Sequence, residues 1–315
     1  MIKYYQLSKQ GLEEVAENAA VWIHVTAPLD HQELEFLSTQ ESLPLDFLTD
    51  SLDIDERSRY EYEDGIKLIV INAPVLNEDE KESDALYITA PIGMVMKEDK
   101  IITITSEESP IMDKFLNGRV KNFDPSDQKL FVLQVFERTV YQFLDCLKKL
   151  NLRRNLIEQE LYNSSRNKEL QDLLKIEKSL VYMVNSLSDN DLLKQKMRRT
   201  DFLKIRDLEN HQDLFEDIII DNSQALEMAN VHTNILGGTM EAYASIISNN
   251  LNIVIHRLTL VTISLMVPTL IASFYGMNLQ NLPLQNHPAA FYIIILLSIV
   301  VGLVLLGFFR RPGRR

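Results

Sequence analysis

The stretch LTLVTISLMVPTLIASFY, Leu258 to Tyr275, running directly into Gly276-Met277-Asn278, decides how this chain is read. After the loop Leu279–Pro288 (LQNLPLQNHP) a second apolar run begins, Ala289 to Phe309 (AAFYIIILLSIVVGLVLLGFF). Neither run contains a charged residue. Each is close to the roughly 20 residues that cross a hydrocarbon core of about 30 Å. The reading is a C-terminal transmembrane hairpin preceded by a large soluble portion. His256 and Arg257 precede the first run, and Arg310, Arg311, Arg314 and Arg315 follow the second, whereas the connecting loop has no Lys or Arg. Positive residues stay inside. Both termini are therefore expected in the cytoplasm, with the short loop outside.

Charge is unevenly distributed along the 315 residues, whose net charge is −13. Residues 1–120 hold 25 Asp/Glu against 10 Lys/Arg, and the remainder 20 against 22. An acidic N-terminal part lacks the basic footprint of nucleic-acid binding. It suits a cationic partner, and equally an ordinary soluble surface. The single cysteine, Cys146, allows no internal disulfide, which fits a reducing compartment. The start, MIKYYQLSKQGLEE, has neither the apolar core nor the cleavage pattern of a signal peptide, so the soluble part is expected in the cytoplasm.

Residues 1 to about 124 read as α/β. β-rich runs recur at 2–6, 20–26, 66–74, 86–96 and 100–105. Helical candidates lie at 31–40, with Asp30 as N-cap, and at 44–53. Glu98-Asp99 reads as a hairpin turn, and the acidic stretch 77–84 (NEDEKESD) as a solvated loop. Between Pro125 and Pro268 there is no proline, and glycine occurs only at 237 and 238. Leu130, Leu133, Phe136, Val140, Phe143, Leu147 and Leu150 recur at helical spacing. A break is expected at Ser186–Asp191, with a shorter helix over about 191–203. Residues 125–206 are thus antiparallel helices. From 207 the helical pattern runs to the end of the first apolar run, a helix of roughly 100 Å at about 1.5 Å per residue. Such a helix needs partners from the same chain and from other copies.

On that helix Asn252, Thr259, Thr262, Met266, Thr269 and Ser273 are spaced 7, 3, 4, 3 and 4, and Gly276 continues the stripe by three. Only Ser264 lies clearly off it. Polar groups facing lipid are costly, so the stripe faces protein or water. Two readings compete: hydroxyls bonding back to their own helix and gluing helices together, or a stripe lining a pore between several copies.

The sequence at the end of the run resolves the choice. Tyr275-Gly276-Met277-Asn278, closing the first of two C-terminal spans after a long helical region, resembles the signature of the CorA family of magnesium channels. SNNLNIVIHRLTLVTISLMVPTLIASFYGMN has the family's shape, and WIHVTAPLDHQELEFLST and YEYEDGIKLIVINAP resemble its cytoplasmic domain more loosely. The resemblance implies an α/β cytoplasmic domain (1–124) and antiparallel helices (125–206). A long all-α stalk helix (207–278) continues as the first span, its membrane part about 258–276. An outer loop (279–288), a second span (289–309) and a basic tail (310–315) complete the order. The assembly would be a homopentameric funnel in a bacterial-type plasma membrane.

The resemblance also implies roles. Gly276, Met277 and Asn278 would form a selectivity ring for hydrated Mg2+, an ion that dehydrates reluctantly. Asn252, Leu258, Thr259, Thr262, Met266, Thr269 and Ser273 would line the pore, with Leu258 and Met266 as apolar constrictions. Cytoplasmic Mg2+ bound between protomers would close it, at Asp217 with Asp213, Glu216 or Asp221 nearby. The partner carboxylate would be one of Asp79, Glu80, Glu82 and Asp84. Pro268 sits one residue later than the family pattern, and the outer loop lacks the acidic residue many relatives carry. Mg2+ is thus expected as both cargo and regulator, with Co2+ a further candidate ion. A zinc carrier of the ZntB type on the same fold is the alternative within transport. A membrane-anchored cation sensor is the alternative outside it. No Walker, CxxC, HExxH or GxSxG motif supports an enzyme.

Overall fold

The computed structural model describes residues 1–8, 11–77, 85–163, 167–277, 283–284 and 287–310. The chain divides into two compact units, Met1–Met240 and Glu241–Arg315.

The first unit is built on seven strands: β1 (Ile2–Ser8), β2 (Gly11–Glu14), β3 (Trp22–Thr26), β4 (Arg59–Glu63), β5 (Ile66–Leu76), β6 (Tyr87–Lys97) and β7 (Lys100–Thr105). They form one sheet in the order β2-β1-β3-β7-β6-β5-β4. β3 and β7 run parallel and every other pair is antiparallel. The tight turn between β6 and β7 falls at Glu98-Asp99, with Glu98 at φ 45°. Two prolines sit inside long strands. Asn72 presents its backbone to the β4 side, so Pro74, two residues on, would point its missing N–H the same way. β4 has already ended there, since its last partner is Val70. Pro91 of β6 likewise lies beyond Ile92, the last residue β7 pairs. Neither proline breaks a ladder.

Both faces of the sheet are covered. On one face lie α1 (His31–Glu41) and α2 (Leu45–Asp50). Leu34, Leu37, Phe47 and Leu48 pack there on Ile23, Val25, Leu68, Val70, Val95, Ile102 and Ile104. Asp30 opens α1 with a full capping box through Glu33. α2 is packed so closely that a Cβ on Gly93 of β6 would overlap the Ser51 side chain. On the other face Trp22, Phe115, Phe123 and Phe131 form an aromatic cluster with centroids 4.8–5.6 Å apart. Phe115 comes from α3 (Pro110–Leu116) and Phe131 from α4 (Gln128–Asn163). Trp22 Nε1 donates to Thr103 Oγ1 at 2.8 Å.

The helices differ from expectation in one instructive place. α5 runs from Asn167 to Thr200 without a break, so the expected interruption at Ser186–Asp191 and the shorter helix after it do not exist. Two of the polar residues that suggested it, Ser186 and Asn190, bond to the sheet, as does Ser179 two turns earlier. Ser179 Oγ accepts the N–H groups of Leu86 and Tyr87 at 2.9 and 3.0 Å. Ser186 Oγ donates to Thr89 Oγ1 at 2.8 Å. Asn190 Oδ1 accepts the Asn72 N–H at 3.1 Å and the Ser58 hydroxyl at 2.6 Å, while its Nδ2 donates to the Asn72 carbonyl at 2.8 Å. Asn190 thus supplies both backbone bonds that a longer β4 would make. Ser and Asn disfavour helices when their side chains compete for local backbone groups, and here they are engaged elsewhere. The change of direction falls instead between Asn163 and Asn167.

α6 runs from Glu209 to Tyr275, 67 residues, with Pro268 inside it. Within the first unit Ile218, Asn222, Ala225, Ala229 and Leu236 are buried at heptad-like spacing. Here a lysine is buried completely. Lys194 of α5 donates to Asn222 Oδ1 at 2.8 Å and lies 5.4 Å from the centre of the Phe136 ring of α4. Asn222 Nδ2 donates on to the Leu187 carbonyl at 3.1 Å. Burial lowers the Lys194 amine to about 7, against the attraction of Asp191.

The second unit holds the end of α6 and α7 (Ala290–Arg310). α6 contains an uncharged window with mean hydropathy 1.8, of which 6% is buried, and α7 is apolar over Ala290–Leu305.

Candidate functional site

The polar stripe of α6 is present as one exposed face: Asn252, Leu258, Thr259, Thr262, Met266, Thr269 and Ser273 are all open in the single chain. Its three threonines share one geometry. Thr259, Thr262 and Thr269 donate their hydroxyls to the carbonyls of Ile255, Leu258 and Leu265 at 2.9, 2.9 and 2.8 Å. The donor proton is therefore turned back into the helix, and lone pairs are left facing out. Ser264, the hydroxyl off the stripe, is 4% exposed and packs toward α7.

The helix closes on the signature. The Gly276 N–H reaches the carbonyls of Ala272 and Ser273 at 3.0 and 3.2 Å, and the Met277 N–H reaches Phe274 at 3.3 Å. Gly276 has no positive φ, and a Cβ would meet only the Ser273 and Ala272 carbonyls at 3.4 and 3.5 Å. Nothing among the described residues of one chain therefore demands glycine there. Tyr275 Oη donates to the Pro283 carbonyl at 3.1 Å and ties the end of α6 to the following segment. Asn278 lies outside the described residues.

The carboxylates expected to regulate fall into two situations. Asp213 and Asp217 are exposed on α6 and Asp221 is half-buried. Glu216 is engaged by Arg198 of α5 at 2.8 Å. The Tyr141 hydroxyl of α4 is pushed up by burial, then by Glu137, Asp221 and Asp217, with Arg138 opposing. Glu137, Asp221 and Asp217 thus all act on this one hydroxyl. Glu137 is half-buried and touches Arg138 at 3.3 Å. Among the described residues no three His, Cys, Asp or Glu side chains converge on a metal position. Asp79, Glu80, Glu82 and Asp84 lie outside the described residues.

Residues 17–311 match the family described as CorA-like Mg2+ transporter protein. This chain belongs to that family. The CorA family comprises transporters, not enzymes. A cobalt/magnesium transport protein CorA from Methanocaldococcus jannaschii is 28% identical, with 99% of each chain covered. The complete structure of the CorA magnesium transporter from that organism superposes with a TM-score of 0.79 at 23% identity, over 99% of this chain and 98% of that one. This establishes a CorA fold over the whole chain. The ZntB cytoplasmic domain from Vibrio parahaemolyticus shares the fold at a TM-score of 0.59 and 10% identity, over 78% of this chain and 98% of that one.

For a CorA chain, sequence reading found the stripe because heptad spacing needs only the helix period. It did not single out Glu137, which acts with Asp221 and Asp217 on the Tyr141 hydroxyl. No local signal marks that residue apart from the other acids of these helices.

Proposed function

We propose that the protein is a magnesium channel, assembled as a homopentamer around the stripe of α6. The observation that carries this reading is the alignment of Asn252, Thr259, Thr262, Met266, Thr269 and Ser273 on one face of α6, running into Gly276-Met277, in a chain of the CorA family. Thr259, Thr262 and Thr269 keep their donors within α6, so the oxygens they turn outward are acceptors, beside the exposed Asn252 amide and Ser273 hydroxyl. A hydrated Mg2+ presents outward-pointing water hydrogens, so acceptors complement it without removing its shell. Leu258 and Met266, on the same face, form apolar constrictions that close by excluding water. Gly276, Met277 and Asn278 form the selective ring at the outer mouth. Gly276, unconstrained by the described residues of its own chain, serves the close approach of neighbouring copies.

In this reading α6 and α7 span the plasma membrane with both termini inside. Entry of Mg2+ runs down its gradient, an inside-negative potential contributing about 2.3 kcal/mol per charge per 100 mV. Co2+, named for the archaeal relative, is a second candidate ion. Cytoplasmic Mg2+ closes the pore by binding between protomers at Asp217, with Asp213 and Asp221 beside it. Glu216 contributes once its pair with Arg198 opens. A site divided between copies is consistent with the lack of a complete ligand set among the described residues of one.

The test is Mg2+ uptake into proteoliposomes loaded with an indicator, with wild type, Asn278→Ala and Asp217→Ala compared. Asn278→Ala is expected to abolish uptake with assembly intact. Asp217→Ala is expected to leave uptake uninhibited by internal Mg2+, and unchanged inhibition would remove Asp217 from the regulatory role. The same vesicles given Zn2+ under an imposed pH gradient decide the zinc alternative. Zinc entry without magnesium flux would assign the chain to a zinc carrier, and no flux of either ion would leave a membrane-anchored sensor.

A further inference from the structure

Pro268 lies within α6 and has no N–H. The carbonyl it would have engaged, that of Ser264, loses its helical donor, and in an apolar surrounding such a group is costly. The structure shows what lies against it. A Cβ built on Gly302 of α7 would stand 3.4 Å from the Ser264 carbonyl oxygen and 3.3 Å from Pro268 Cγ. The other glycine of α7, Gly307, has nothing within 4 Å. Gly302 is thus the point where α7 meets the proline ring and the freed carbonyl together.

The surroundings support a contact specific to this level of the helix. Ser264 and Pro268 are four apart on α6, and Ser298 and Gly302 four apart on α7, so each pair shares a face. The Ser264 and Ser298 hydroxyls are 4% and 9% exposed and have no hydrogen-bond partner among the described residues. Both line a cleft of about 600 Å3 between the helices, with Pro268, Thr269 and Gly302 on its wall. The stripe threonines keep their hydroxyl protons within α6, whereas these two serines line the space between α6 and α7.

We propose that Gly302 is a positioning residue for transport: by seating α7 directly over the carbonyl that Pro268 frees, it fixes the course of α6 from Thr269 to Gly276 and so the placement of the signature. A Cβ at 302 would require α7 and the proline ring to give by a few tenths of an ångström, and a branched side chain would require a larger separation of α7 from Pro268. The role rests on the channel reading only for its transport consequence, since the packing relation itself is independent of the ion.

The experiment is a double-mutant cycle on the full-length protein, with Gly302→Val, Pro268→Ala and the pair together. Mg2+ uptake into proteoliposomes and thermal melting of the purified protein in detergent are both measured. Gly302→Val is expected to lower uptake by about tenfold or more while assembly persists. Pro268→Ala restores an N–H for the Ser264 carbonyl and removes Cγ, so the pair is expected to recover most of the loss caused by Gly302→Val. Ser264→Ala, which leaves the backbone carbonyl in place, is expected to have less effect than Gly302→Val. Additive losses in both readouts, or a Gly302→Val protein that takes up Mg2+ like wild type, would overturn the proposal. If the wild type moves no Mg2+, the channel reading fails by itself, and coupling in the melting temperature still decides whether Gly302 answers Pro268.

Discussion

The buried polar side chains at the sheet and helix contacts of one unit and the stripe threonines of the other place their hydrogen bonds differently. In residues 1–240 the former reach across the fold: Asn190 bonds the backbone of Asn72, Ser179 that of Leu86 and Tyr87, and Lys194 the amide of Asn222. In residues 241–315 the threonines bond only to the helix that carries them. The first pattern specifies one arrangement of elements, because each buried partner is unsatisfied in any other. In the proposed channel, the second leaves an acceptor surface toward the ion. A fold and a pathway thus call for different destinations of the same chemical groups.

The contrast breaks most visibly at Asn190. Asn190→Leu keeps the volume, strands the buried carbonyl of Asn72 and leaves its N–H only the longer bond to Ser58 Oγ at 3.3 Å. The expected cost is about 3 kcal/mol, read as a fall in the melting temperature of the full-length protein. A loss below about 1 kcal/mol would mean that these bonds are replaced by water.

Lys194 sharpens the contrast through pH. Its amine titrates at about 7 in the folded chain against a reference value of 10.5. Between those values the unfolded chain binds more protons, so stability rises with pH across this window. Below about pH 7 both states hold the proton and the dependence on this group vanishes. The expected slope approaches about 1.4 kcal/mol per pH unit. Lys194→Met is expected to remove that slope from the difference between variant and wild type. At pH 7 its effect is expected within about 2 kcal/mol, since it also leaves Asn222 Oδ1 without a donor.

The smallest stability effect belongs to the stripe. Thr262→Val removes a hydroxyl already satisfied within α6, so stability is expected to change by less than about 0.5 kcal/mol. Mg2+ uptake is nonetheless expected to fall by about threefold to tenfold, because an acceptor is lost from every copy. Melting and uptake that fell together would place the hydroxyl in the packing rather than on the pathway.

Much of this was legible from residue order. The strands around Ile23, Ile71, Met94 and Ile102, the Asp30 cap and the Glu98-Asp99 turn all follow from local pattern. The charged, half-exposed β4 (RYEYE) and the short β2 were not, because edge strands bury too little to alternate clearly. α3 carried a usable signal in Ser109 followed by Pro110, a cap and a proline at the first helical position. The uninterrupted α5 was illegible in principle. Whether Ser186 and Asn190 end a helix or join it to a sheet depends on Thr89 and Asn72, about a hundred residues away in the chain. In the second unit, spacing alone placed the stripe, but the cover Gly302 gives Ser264 required knowing which face α7 presents.

The two residues that complete the border of β5 have a further consequence for how the chain avoids self-association. Beyond Val70 that strand, Ile71 to Leu76, has no strand partner on the β4 side, the kind of edge on which another chain adds a strand and aggregation begins. Asn190 masks it only after α5 has docked. Pro74 acts earlier, because an imide nitrogen offers no hydrogen to an incoming strand even in a half-folded chain. One guard is therefore tertiary and the other written into the backbone, so the nascent protein is protected at this edge before its helices arrive.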